Sequence, residues 1–131
     1  MKFHAATKTV EKIVETQGVT MGHAVEVGDL IFLTGLISVD TETGQLTDGD
    51  IDHSARGTLA LVEGILGDLG LTLDNVVKVT AYLPDAADFK GWNAVFNERF
   101  SHPRPLRTTL ITGLLAGKIE LEVMAARQPR S

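Results

Sequence analysis

Ile51, Ala55, Leu59, Val62, Leu66 and Leu69 recur at spacings of 4, 4, 3, 4 and 3. That period places all six on one stripe of an α-helix, so about five turns must lie on an apolar surface made elsewhere in the chain. Asp50 or Asp52 can cap the first turn, and Gly70 can end the helix. Directly after it, Val77, Val79, Ala81 and Leu83 alternate with other residues, the period of a strand with one buried face. A helix followed by such a strand requires a helix-on-sheet layer, which excludes an all-helical bundle and an all-β sandwich.

The remaining segments fit that layer. Lys8 to Thr16 is rich in β-branched residues and is expected to form a strand. Ala24 to Val27 and Leu30 to Thr34 flank Gly28-Asp29, the pattern of a tight hairpin. Asp40 to Gly49 is a polar loop. Pro84 and Asp85 open a second helix whose apolar stripe is Phe89, Trp92, Phe96 and Phe100. Arg107 to Thr112 and Lys118 to Ala126 close the chain as strands.

The expected order is βββαβαββ, an α+β fold with a mixed sheet of about six strands and two helices on one face. With 131 residues and no internal repeat or linker, residues 1–131 are expected to form one domain. Two helices cover only one sheet face, yet Leu30, Ile31, Phe32 and Leu33 are apolar on both. The second face is therefore expected to be buried by another subunit.

Charge and composition narrow the function. Seventeen acidic against 12 basic residues give a net charge of −5, with the acids concentrated between Asp40 and Asp52. The basic residues are scattered, and the aromatics are five Phe, one Trp and one Tyr. A nucleic-acid partner, which needs a basic stripe, is not expected. No apolar stretch approaches the roughly 20 residues that span a bilayer, so no membrane partner is expected. Met1 to Glu11 lacks the apolar core of a signal peptide, and cysteine is absent. Both fit a cytoplasmic location.

Without cysteine there is no thiolate nucleophile or thiolate metal site. His4, His23, His53 and His102 lie far apart, without the spacing of a metal-binding helix. Asp48, Asp50 and Asp52 imitate the start of a calcium loop, but His53 stands where glycine is needed and Leu59 where the last carboxylate belongs. No metal and no cofactor are expected. The candidate charges lie near the C-terminus. Arg107 follows Pro105-Leu106, and on the last strand Glu120 and Glu122 share one face while Ile119, Leu121 and Val123 share the other. If the second sheet face is an interface, Arg107 and Glu120 are partly enclosed charges that need partners, and an anionic substrate is one.

From Gly22 to Ala126 the chain resembles the Rid family, the YjgF-like reactive intermediate deaminases. The resemblance rests on Val27-Gly28-Asp29-Leu30-Ile31-Phe32-Leu33-Thr34-Gly35 and Asp40-Thr41-Glu42-Thr43-Gly44. It continues through Asp74-Asn75-Val76-Val77-Lys78-Val79-Thr80, Phe89, Trp92-Asn93 and the Arg107 and Glu120 segments. It implies a chorismate-mutase-like fold assembled as a homotrimer, with ligand clefts between subunits. It implies hydrolysis of 2-imino acids or their parent enamines to 2-keto acids and ammonia. On that resemblance Arg107 binds the substrate carboxylate and Glu120 positions the attacking water. Gly35 offers backbone groups to the ligand, Thr109 lines the cleft, and Asn93, Met21 and His23 complete the substrate-binding set.

The division of labour is chemically sound. Guanidinium matches a carboxylate with two parallel hydrogen bonds, and a protonated imine needs only an oriented water and a base. Departures occur at the rim. The family tyrosine is Met21, its glutamine falls near His23, and Gly-Gln-Ile-Pro becomes Gly35-Leu36-Ile37-Ser38. Leu106 replaces a small residue, and Thr108 replaces a serine. A larger or more apolar substrate than the usual small imino acids is expected. The alternative is a non-catalytic member that binds and senses a carboxylate metabolite. A ribonuclease, attributed to some relatives, is disfavoured by the charge, and chorismate mutase activity rests on fold analogy alone.

Overall fold

The computed structural model describes residues 1–131. Nine regular elements follow one another: β1 (Lys2–His4), α1 (Glu11–Gln17), β2 (Ala24–Val27), β3 (Leu30–Leu33), α2 (Ile51–Asp68), β4 (Val76–Leu83), α3 (Phe89–Arg99), β5 (Leu106–Ile111) and β6 (Glu120–Ala126). The strands form one sheet in the order β1-β2-β3-β6-β4-β5. Every pair is antiparallel except β4 and β5, which α3 joins as a parallel crossover. The α+β class and the mixed six-stranded sheet are as expected.

Local chemistry accounts for the elements. Gly28 turns the β2–β3 hairpin at φ +58°, in the left-handed region that side chains avoid. The Asp50 side chain accepts a hydrogen bond from the His53 backbone at 2.9 Å and caps α2. At the other end the Leu71 N–H reaches the Leu66 carbonyl (2.8 Å) and the Gly70 N–H reaches that of Gly67 (3.0 Å). With Gly70 at φ +80°, this is the Schellman closure. Ala55, Leu59, Val62 and Leu66 are fully buried, and Ile65 joins them. Each large aliphatic side chain on that stripe contributes about 1.5–3 kcal/mol of burial.

Two expectations are corrected. Lys8 to Thr16 is not a strand; it is a 3₁₀ turn (Lys8–Val10) running into α1, so the order is βαββαβαββ with three helices. Val10 and Ile13 are buried and Val14 packs against the same core, a helical spacing of 3 and 4. Burying that face against the core outweighs the strand preference of the β-branched residues. The first strand is Lys2–His4 instead. Within β4, Val77 does not share the buried face. The register shifts between Val76, opposite Ala125, and Lys78, opposite Met124. Val77 is the extra residue of a bulge, so the fully buried set becomes Val76, Val79, Ala81 and Leu83.

The buried strand residues meet the helices in one core of 26 side chains. The opposite sheet face is open. Register aligns Phe3, Val25, Phe32, Met124, Lys78 and Leu106 in a row across all six strands. Phe3 and Leu106, at the two ends, are 69% and 71% exposed.

Candidate functional site

Glu120 opens β6 opposite Tyr82 of β4. Leu36 and Leu121 exchange two backbone hydrogen bonds of 2.9 Å each, and this bridge lays Gly35 against the Glu120 carboxylate. A Cβ at position 35 would stand 2.8 Å from Glu120 Oε2, so the backbone reaches the carboxylate this closely only because residue 35 is glycine. Glu120 and Gly35 face a cleft of about 250 Å³ that Met21 and His23 also line. Met21 is half exposed at its mouth, while His23 is buried. The His23 ring donates from Nδ1 to the Ala5 carbonyl at 2.9 Å, which fixes the proton on Nδ1 and leaves Nε2 without a bond. On the open face beside Glu120, the Tyr82 hydroxyl donates to Glu122 at 3.0 Å, and that bond raises the phenol's pKa.

Arg107 belongs to a different neighbourhood. Parallel pairing sets Arg107 beside Val79 and Thr109 beside Ala81, on the helix-covered side of the sheet edge. α3 lies above them and presents Phe89, Trp92, Asn93 and Phe96 at helical spacing. Arg107 Nη1 donates to Asn93 Oδ1 at 2.8 Å. The guanidinium carbon lies 4.6 Å from the Phe96 ring centre and 5.5 Å from that of Phe89. Trp92 Nε1 donates to Thr109 Oγ1 at 3.3 Å. Burial lowers the Arg107 pKa, and no carboxylate of the chain offsets it. A fixed, planar, partly desolvated cation without a counter-ion has the charge and fork geometry that an anionic group can pair with.

The expected site residues therefore form two groups: Met21, His23, Gly35 and Glu120 around one cleft, and Asn93, Arg107 and Thr109 under α3. Arg107 and Glu120 do not share the open face. Glu120 lies two strands away, in the row of Tyr82, whereas Arg107 is in the row of Val79. At about 4.8 Å per strand and about 3.3 Å per residue, their Cα atoms are on the order of 14 Å apart. Side-chain alternation then points them to opposite sides. A shallow hollow of about 350 Å³ on the open face holds Lys78 and Glu122 but neither of these residues.

The profile of the endoribonuclease L-PSP family matches residues 19–127. The chain belongs to the YjgF/Rid family. A RutC family protein of Pyrococcus abyssi is 36% identical over 102 residues, covering 78% of this chain and 80% of that protein. A 2-iminobutanoate/2-iminopropanoate deaminase of Capra hircus is 32% identical over 108 residues, covering 81% of this chain and 79% of that protein. A crystal structure from Thermotoga maritima superposes with a TM-score of 0.86 at 31% identity, covering 98% of this chain and 99% of that one. Members of the Rid family thus include imine deaminases alongside proteins named otherwise. No helix of this Rid protein is long and apolar enough to cross a membrane.

Several contributors carry no local signal of their role in the sequence. Phe89 and Phe96 were visible as a helix stripe, but their use as a seat for Arg107 depends on α3 crossing the edge strand. Ile13, Gln17 and Val19 line the Glu120 cleft because Lys8 to Gln17 folds back as a turn and helix. Leu115 and Ala116, from the loop before β6, had no pattern to mark them.

Proposed function

We propose that this protein is a hydrolytic deaminase of 2-imino acids and of the enamines that tautomerise to them, acting in an oligomer whose clefts lie between subunits. The observation that carries the proposal is Arg107, held by Asn93 and two aromatic rings with no acidic partner in its own chain. That arrangement suits the substrate carboxylate. Glu120 lies on the other side of the sheet, so a small substrate touching both residues needs Arg107 from one subunit and Glu120 from the next. A homotrimer, the assembly implied by the family resemblance, supplies such pairs cyclically.

The chemistry needs little more. With the carboxylate held by Arg107, the protonated imine exposes an electrophilic carbon. Glu120 accepts a proton from water as the oxygen bonds to that carbon, giving a carbinolamine. Returning that proton to nitrogen makes ammonia the leaving group; the C–N bond then breaks as the carbinolamine hydroxyl gives its proton to the freed Glu120 carboxylate, leaving the 2-keto acid and ammonia. Gly35 lets backbone groups approach the reacting atoms, and Thr109, set by Trp92, lines the carboxylate end. The family glutamate supports the base role of Glu120, worth about 10²–10⁴-fold.

The test is Glu120→Gln, which keeps size and hydrogen bonding but removes the basic oxygen. An amino-acid oxidase generates the imine, and its disappearance is followed with a trapping reagent. Turnover is expected to fall by roughly 10²–10⁴-fold with 2-keto acid binding retained. Equal turnover in the variant removes Glu120 from the mechanism. A parent that binds 2-keto acids but accelerates no imine is a carboxylate sensor instead.

A further inference from the structure

We infer that the Lys8–Gln17 turn and helix, with Val19 just beyond it, select the substrate: the cleft beside Glu120 takes an apolar side chain substantially larger than methyl. The inference rests on the carboxylate-binding site proposed above. The family profile begins at residue 19, so α1 lies outside the segment that the profile matches. It is nevertheless built into the site. Ile13, Gln17 and Val19 form one wall of the cleft that holds Glu120 and Gly35.

That wall is anchored at both ends. The Thr9 N–H donates to Asp68 of α2 at 2.7 Å. Gln17 Nε2 donates to the Gly44 carbonyl at 2.7 Å, and Thr16 Oγ1 to that of Thr43 at 3.4 Å. Val10 and Ile13 are inserted in the core between these ties. A wall fixed in this way excludes by shape rather than adapting to whatever enters.

The chemistry of the cleft defines its occupant. Nine of its 14 lining residues are apolar, Glu120 is the only carboxylate, and neither Lys nor Arg is among them. The cation proposed to enter from the next subunit, Arg107, is taken by the substrate carboxylate, so an acidic side chain would find no cation of its own and would face Glu120; a strongly polar one would lose water without replacement. A cleft of about 250 Å³ falls just below the roughly 300–1,000 Å³ of sites for drug-sized ligands, and a methyl group would leave most of it empty. An isobutyl-sized group covers the apolar wall. At about fourfold per buried methylene, three further carbons are worth tens of times in affinity.

The experiment is calorimetric titration of the full chain with pyruvate and with 2-oxo-4-methylpentanoate, run beside turnover of the imines made from alanine and leucine. The parent is expected to bind the larger acid at least about tenfold more tightly. Val19→Phe, at a half-buried position, fills the cleft and is expected to bring that ratio close to one with the melting temperature preserved. Ile13→Ala enlarges the cleft and is expected to shift preference toward 3-phenylpyruvate; because Ile13 is in the core, Val19→Phe keeps the test independent of folding. No preference in the parent, or a preference untouched by Val19→Phe, overturns the inference. Binding of neither acid overturns it together with the site beneath it. The expected preference in binding without imine turnover leaves the inference standing and removes the deaminase.

Discussion

Arg107 shows how a side chain's environment defines its chemistry. Its fork is oriented by Asn93, faced by Phe96 and Phe89, and left without a carboxylate. Lysine keeps the charge but neither the planar fork nor the flat stacking surface. Arg107→Lys is expected to weaken 2-keto acid binding by about 10- to 100-fold, the worth of one charge-assisted hydrogen bond, as measured by calorimetry. Gly35 presents the reverse case, in which the absence of a side chain matters. A methyl at position 35 would press on Glu120 Oε2, the mobile end of its side chain. Gly35→Ala is therefore expected to displace the carboxylate rather than unfold the chain, lowering kcat more than it raises KM. Gly67→Ala is the control, because a Cβ there meets nothing within 4 Å. That change is expected to stabilise α2 by up to about 1 kcal/mol.

Single elements are held by a few polar ties as well as by the core. β1 has three residues, too few to be secured by its own ladder. Glu26 of β2 accepts from His4 Nε2 at 2.7 Å and from Arg127, which also donates to the Leu69 carbonyl beyond α2 at 2.9 Å. The bond to His4, then that to Arg127, holds the Glu26 pKa below its usual value of 4.5. Because the folded-state pKa is depressed, this contribution is present above about pH 4.5 and is lost as pH falls through the folded value. Glu26→Gln is expected to lower the melting temperature at pH 6 and to flatten its decline below pH 5 relative to the parent. Thermal melts of both proteins between pH 3 and pH 6 check this; parallel curves would remove Glu26 as the source of the acid sensitivity.

The whole molecule leaves one sheet face uncovered, with Phe3 and Leu106 exposed at its ends and Phe32 and Met124 partly buried at its centre. Sedimentation or light scattering is expected to give a closed oligomer, a homotrimer in the proposed assembly, at micromolar concentration. A more discriminating measurement mixes two inactive chains. Arg107→Ala retains Glu120, and Glu120→Gln retains Arg107. Co-expressed in equal amounts, they are expected to rebuild about a quarter of the cyclic sites, because each site draws the two residues independently from neighbouring subunits. A stable monomer, or no recovered activity in a proven mixed oligomer, would sink the shared site.

The sequence alone determined the elements whose signals are local. The α2 stripe and a cap at Asp50 or Asp52, the Gly28 hairpin, and the family motifs from Val27 to Glu120 all depend on spacing along the chain and on the conformations that particular residues allow. Tertiary structure decided three further matters. Val10, Ile13 and Val14 became a helix face because the core offered them burial, although their β-branching favours a strand. The bulge at Val77 reversed which of its neighbours faces inward, since the face of a strand residue depends on pairing as well as alternation. Most consequential for function, Arg107 and Glu120 came to lie on opposite sides of one sheet. Alternation within each strand encodes only relative orientation, and the parallel placement of β5 beside β4 sets which side of the sheet Arg107 meets.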